Sequence, residues 1–168
     1  QLKKLEIMVE KLLETASLDS NKLELKKETI NIIPLLKSNV EKHQMASEKT
    51  LAITANHEKI NWNVDVFHFE NAVSNLIDNA LKYGGENIAI EINQVKNLLT
   101  IAVKDNGKGI STQNTSRIFE PKFTTKSSGM GLGLAIIKNI IENYHGTITF
   151  ESEEGKGTEF LVSFPITK

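Results

Sequence analysis

The sequence predicts an α/β protein, a two-layer sandwich in which a mixed sheet carries three helices on one face. Three observations point there. Stretches with helical spacing of apolar residues alternate with stretches of period-two alternation. Glycine clusters at 84–85, 107–109, 129–133 and 155–157 separate them. A chain of 168 residues with 39% hydrophobic content can bury one good core and carry an appendage.

Bulk composition excludes several classes. A net charge of −1 gives no long-range pull toward nucleic acid or an anionic membrane, so neither is expected as a partner. The absence of cysteine removes disulfides, thiolate metal sites and cysteine nucleophiles. No apolar run approaches the roughly 20 residues that span a bilayer, and no signal-peptide pattern is present. The chain opens on Gln rather than Met, as a piece of a longer protein would, which leaves room for a membrane anchor elsewhere.

Leu2, Leu5, Val9, Leu12 and Ala16 form a heptad seam, with Lys3, Lys4, Glu6, Glu10, Lys11 and Glu14 outside it. Met8 and Leu13 widen the stripe as in a bundle helix, and a helix of this length needs partners. Asp19, Ser20 and Asn21 break the pattern, and Leu23 and Leu25 alternate like a short strand. The expected division is therefore 1–27, helix plus link, and 28–168, the main domain. Glu28 or Thr29 is expected to cap a helix to about Ser47, with Ile32, Ile33, Leu36, Val40 and Met45 inward and Pro34 in its first turn. Leu51 to Ala55 and Ile60 to Val64 read as short strands around a turn at 56–59.

Asp65 is the expected N-cap of the central helix, whose stripe is Phe69, Val73, Leu76, Ile77 and Ala80. Asn71, Asn75, Asn79 and Lys82 or Tyr83 share a neighbouring face. Asparagine competes with the helix backbone for hydrogen bonds, so such a row suggests a ligand on that side. Gly84-Gly85 stops the helix. Asn87–Val95 and Leu98–Asp105 are strands joined by a Lys96-Asn97 turn, and 110–128 reads as a long loop of the kind that usually carries function. A helix runs from Gly131 or Leu132 to about Tyr144, burying Leu134, Ile137, Ile140 and Ile141, and ends at His145-Gly146. Thr147–Ser152 and Thr158–Phe164 close the chain as a hairpin.

Four short motifs stand in order: Asn75-Leu-Ile-Asp-Asn79-Ala-Leu-Lys82-Tyr83, Asp105-Asn-Gly107-Lys-Gly109, Phe119-Glu-Pro-Lys-Phe123-Thr124-Thr125-Lys126, and Gly129-Met-Gly131-Leu132-Gly133-Leu. Each is weak alone, and the ordered set is specific. It resembles the N box, first glycine box, F box and second glycine box of sensor histidine kinases, members of the Bergerat-fold ATPases. The likeness covers about Thr29 to Ile166, with Lys122 where relatives often carry an aromatic. Residues 1–27 are similar to the second helix of the dimerisation and phosphotransfer domain with its link.

The resemblance implies a binding site for ATP and Mg²⁺. Asp105 would accept the adenine amine, with Gly107 and Gly109 letting the backbone pass close to the base. Asn75 and Asn79 would line the site, and Asn79 would offer Mg²⁺ a neutral oxygen. Lys82 would neutralise phosphate charge and Tyr83 would cover the adenine or ribose. Gly129, Gly131, Leu132 and Gly133 would open a helix whose free N–H groups suit phosphate oxygens. Lys126 would reach the γ-phosphate from an ATP lid that includes Phe119, Phe123, Thr124 and Thr125, and Thr158 would lie near the adenine. Gyrase, mismatch-repair and heat-shock members carry a water-activating glutamate where this chain has Asn75, which cannot accept a proton near neutral pH. Asp78 points to a different side of the helix. Transfer to a protein side chain is therefore expected over hydrolysis.

None of His43, His57, His68 or His145 has the setting of a phosphoacceptor, so the acceptor histidine is expected upstream. His43 is expected on a polar helix side and His57 on ordinary surface. The implied partners are the dimerisation and phosphotransfer helices of the same protein, a second copy in a homodimer, and the receiver domain of a response regulator. The expected location is the cytoplasm. Two other readings share the boxes: a serine kinase of the anti-sigma type, and a module that binds ATP without transferring phosphate.

Overall fold

The structure, a computed structural model, describes residues 24–109 and 133–166. The heptad helix, Leu23, the 110–128 loop, and Phe119, Phe123, Thr124, Thr125, Lys126, Gly129, Gly131 and Leu132 lie outside the described residues, as does the Tyr83 side chain.

The chain runs β1 (Glu28–Asn31), α1 (Ile32–Met45), β2 (Thr50–Ala55), β3 (Asn61–Val64), α2 (Val66–Tyr83), β4 (Asn87–Val95), β5 (Leu98–Asp105), α3 (Gly133–Asn143), β6 (Thr147–Glu153) and β7 (Gly157–Pro165). Five strands form a mixed sheet in the order β2-β4-β5-β7-β6. The β2–β4 pair is parallel and the other three pairs are antiparallel. One face is apolar: Ile88, Ile90, Ile92, Leu99, Ile101, Val103, Phe160, Val162 and Phe164 are buried against the helices. From α2 come Phe69, Val73, Leu76, Ile77 and Ala80, all five buried as their spacing predicts. From α3 come Ile137, Ile140 and Ile141, with Leu134 partly buried beside them. On the opposite face Lys104 joins Glu91 at 3.1 Å and Glu159 at 3.5 Å across three strands.

Three differences from the expectations have physical causes. Residues 28–31 are not the start of a helix but a strand that pairs with β3 in a separate two-stranded sheet. Asn31 is the N-cap: its Oδ1 accepts from the Ile33 N–H at 3.2 Å and from the Ile60 N–H at 3.1 Å, so one amide both starts α1 and fastens it to the approach of β3. Pro34 accordingly sits in the first turn, where its missing N–H costs nothing. Met45 is 84% exposed, because it is the last residue of α1 and lies beyond the buried stripe that ends at Val40.

The Lys96-Asn97 turn is as expected, with Lys96 at φ 56°. Asp65 caps α2, its Oδ1 accepting from the His68 N–H at 3.1 Å.

Candidate functional site

The C-terminal end of α2, the end of β5 and the β6–β7 hairpin meet at one corner of the sandwich. Asp105 is the last residue of β5, opposite Thr158 on β7 and Ile88 on β4. Its Oδ1 accepts from the Gly107 N–H at 2.9 Å, so the carboxylate is aimed by its own following turn. Burial pushes the Asp105 carboxyl above the ordinary aspartate value, while the N–H groups of Gly107 and Thr158 and the charge of Lys49 act to lower it. A half-buried acidic acceptor of this kind suits recognition of a donor better than solvation does.

Glycine backbones form the walls. A Cβ on Gly84 would lie 2.7 Å from Asp105 Cγ, and one on Gly107 would lie 2.6 Å from Gly84 Cα. These two residues therefore interlock backbone to backbone, an approach that no side chain permits. Gly157, at φ 127°, starts β7 against the Asp105 carbonyl. Gly109, at φ 77°, packs on the Glu153 carbonyl of the hairpin, and the Gly155 N–H closes the contact on Lys108 O at 2.7 Å. Thr158 is buried beside Asp105, with Oγ1 2.9 Å from Ser152 Oγ.

Asn75 and Asn79 lie on α2, one turn apart, Asn75 buried and Asn79 half-buried. Lys82 follows on the last turn of α2, exposed. Ser74 and Asp78 face the other way, onto α1: Asn39 Nδ2 donates to Ser74 Oγ at 2.9 Å, and His43 Nε2 lies 3.2 Å from Asp78 Oδ1. That separates Asp78 from the asparagine row. His43 lies on this polar side of α1, its side chain 15% exposed and paired. Asn71 lies further from the corner, lining an open cleft with Asp65, His68, Glu70 and Lys26. His57 is exposed and bonded to Asn56.

Asn75, Asn79 and Lys82 thus stand on one element, Asp105, Gly107 and Gly109 on and after β5, and Thr158 on β7. Gly133 opens α3, the helix that packs beside α2. Sequence reasoning missed Lys49, whose Nζ donates to the carbonyls of Leu81 at 2.5 Å and Gly84 at 3.2 Å. It also took Gly84-Gly85 only as a helix stop. No local pattern marks Lys49; the Gly-Gly pair was visible, but its contact with Asp105 is long-range.

Residues 64–168 match the model of the histidine kinase-, DNA gyrase B-, and HSP90-like ATPase family. The chain belongs to that family. Its sensor-kinase branch is indicated by the relatives: the chain is 35% identical over 173 residues to the sensor protein SrrB of Staphylococcus aureus, covering 97% of this chain and 30% of that protein. The chain thus spans under a third of the curated relatives it matches. Among solved structures, the catalytic domain of histidine kinase ThkA superimposes with a TM-score of 0.75 at 26% identity, covering 85% of this chain and 97% of that one. The Acinetobacter baumannii histidine kinase AdeS shares the fold, with a TM-score of 0.79 at 22% identity over 100% of this chain and 81% of that chain. This ATPase-family domain is of the sensor histidine kinase type. Among the described residues, no helix is long and apolar enough to cross a membrane.

Proposed function

We propose that the corner at Asp105 binds the adenine of ATP, and that the domain presents the γ-phosphate to a histidine on dimerisation helices of the same protein. The observation that carries the base assignment is the placement of Asp105, half-buried, held by the Gly107 N–H and walled by the backbones of Gly84 and Gly107. On this reading Gly109 and Thr158 complete the base site, with the Tyr83 side chain over the adenine or ribose. Asn75, Asn79 and Lys82 run along α2 toward the phosphates, which would meet Gly129, Gly131 and Leu132 together with Gly133, the first residue of α3. Lys126 and the lid residues Phe119, Phe123, Thr124 and Thr125 act from the 110–132 stretch.

The donor set also fits magnesium. Among the described residues no group of three His, Cys, Asp or Glu side chains is placed to hold a metal. A neutral amide at the half-buried Asn79 instead suits an ion that keeps its waters and leans on phosphate oxygens. Asn79 would hold Mg²⁺, which would neutralise charge on the phosphates. In the transfer, the γ-phosphorus to bridging-oxygen bond breaks, a bond forms to an imidazole nitrogen, and ADP leaves; the protein contributes positioning and charge stabilisation. Asn75 supplies no base for water, which favours this transfer over hydrolysis.

Residues 1–27 are assigned to the helix and link, and 28–168 to the kinase domain, on the cytoplasmic side. Intact, the protein would work as a homodimer and pass its phosphate to the receiver domain of a response regulator. The test is calorimetry with ADP, then labelling from γ-phosphate ATP with a dimerisation hairpin that carries its histidine. Binding should be lost in Asp105→Ala, and its magnesium dependence should weaken in Asn79→Ala. The label should be acid-labile and alkali-stable. An acid-stable label on the chain itself would favour the serine kinase reading. Binding with no labelling of any hairpin would favour the ATP-sensing module.

A further inference from the structure

Lys49 lies outside all four motifs, in the short connection before β2, and its backbone is held on several sides. Its N–H donates to Ser47 Oγ at 3.1 Å, its carbonyl accepts from Gln44 Nε2 at 2.7 Å, and the next N–H, of Thr50, donates to Glu86 O at 2.9 Å. From this anchor the half-buried ammonium reaches the carbonyls of Leu81 and Gly84. The last carbonyls of a helix have no partner of their own and carry its negative end, so a cation there is favourable. That much is a helix cap.

What lies beyond the cap gives it a second consequence. Gly84 is the residue whose backbone packs on Asp105, and Gly107, which donates to Asp105, packs in turn on Gly84. Lys49 therefore grips the wall of the Asp105 site. Its charge also favours the ionised form of that carboxyl, though burial outweighs it. Lys104, the preceding residue of β5, is on the opposite face with Glu91 and Glu159, and Lys82 on α2 is exposed.

We propose that Lys49 is a positioning residue for base selection: it clamps the Leu81–Gly84 turn against Asp105 and sets its positive charge behind that glycine wall. The proposal rests on the assignment of Asp105 to adenine. An ionised carboxylate only accepts, which suits the adenine amine; a protonated one can also donate, which suits the guanine carbonyl. Losing Lys49 should thus both weaken adenine binding and narrow the preference for adenine over guanine.

The experiment is calorimetry of ADP and GDP, with magnesium, on the 168-residue chain over a pH series that runs upward from the ordinary aspartate value. Lys49→Met should weaken ADP binding about tenfold, the scale of one lost charge-assisted interaction, and move the acid limb of its pH profile upward. Lys49→Gln keeps a donor for the carbonyls but not the charge, so it should fold and still move the limb. Lys49→Arg should restore both affinity and limb. An unmoved limb in Lys49→Gln, or an Arg variant no better than Met, would overturn the role assigned to Lys49. Indifference of the parent to Asp105→Asn would overturn the adenine assignment, and this proposal with it.

Discussion

Tyr144 joins two elements through one oxygen. It lies just beyond α3, and its Oη accepts the buried N–H of Asp65, the residue that caps α2, at 2.7 Å. Burial pushes its hydroxyl up to about 12, helped by the Asp65 charge and opposed by the Asp65 N–H, so it stays protonated throughout the working range. Tyr144→Phe should leave that N–H without an acceptor and lower unfolding free energy by roughly 1–3 kcal/mol, read in urea at unchanged slope. The fold should survive, because the ring keeps its contacts with Trp62 and Phe164. Single residues divide sharply in how far sequence reveals them. Asp105 announced itself because it ends an alternating strand and is followed by Asn-Gly. Lys49 did not, because both of its carbonyl partners lie more than thirty residues away in sequence.

At the scale of elements, α1 and α2 meet along a polar seam, Asn39 on Ser74 and one turn later His43 on Asp78. The Asp78 carboxylate, bonded to the ring, raises the His43 pKa above 6.5, against burial and with help from Asn39 O at 2.8 Å. A raised histidine contributes fully below its unfolded value and loses that contribution as pH rises through the folded one. Stability should therefore fall on going from pH 6 to pH 8 by less than about 1 kcal/mol, since Asp78 is partly exposed and screened. Asp78→Asn should flatten that slope in urea titrations; a slope unchanged by the substitution would assign the effect to other groups. The elements themselves were largely legible. The β4–β5 hairpin and the stripe of α2 follow from local period and turn chemistry. The strand at 28–31 was hidden because four residues with one large apolar side chain are too few to show alternation, and its partner lies about thirty positions ahead.

For the molecule as a whole, a ligand that binds only the native state raises its melting temperature. ADP at a hundred times its Kd should add about 2.7 kcal/mol, a shift of roughly 5–10 °C for a chain of this size. Asp105→Ala should abolish the shift without a matching loss in the melting temperature of the free protein. The layers, the sheet order and the corner where three elements meet are long-range outcomes; period and turn signals told which pieces exist, and the resemblance told how they assemble. One of those pieces also offers an optical handle. Trp62, the single tryptophan, is 6% exposed and sits edge-on to Phe69 at 5.4 Å, with Tyr144 at 5.1 Å and Phe164 at 4.9 Å. Those neighbours come from α2, the end of α3 and β7, so the indole is shielded only when segments from across the described chain have converged. Its emission should be blue-shifted in the native protein and move to the red in one step on unfolding. The chain carries its own fluorophore at the meeting point of its core, and refolding can be timed without attaching a dye.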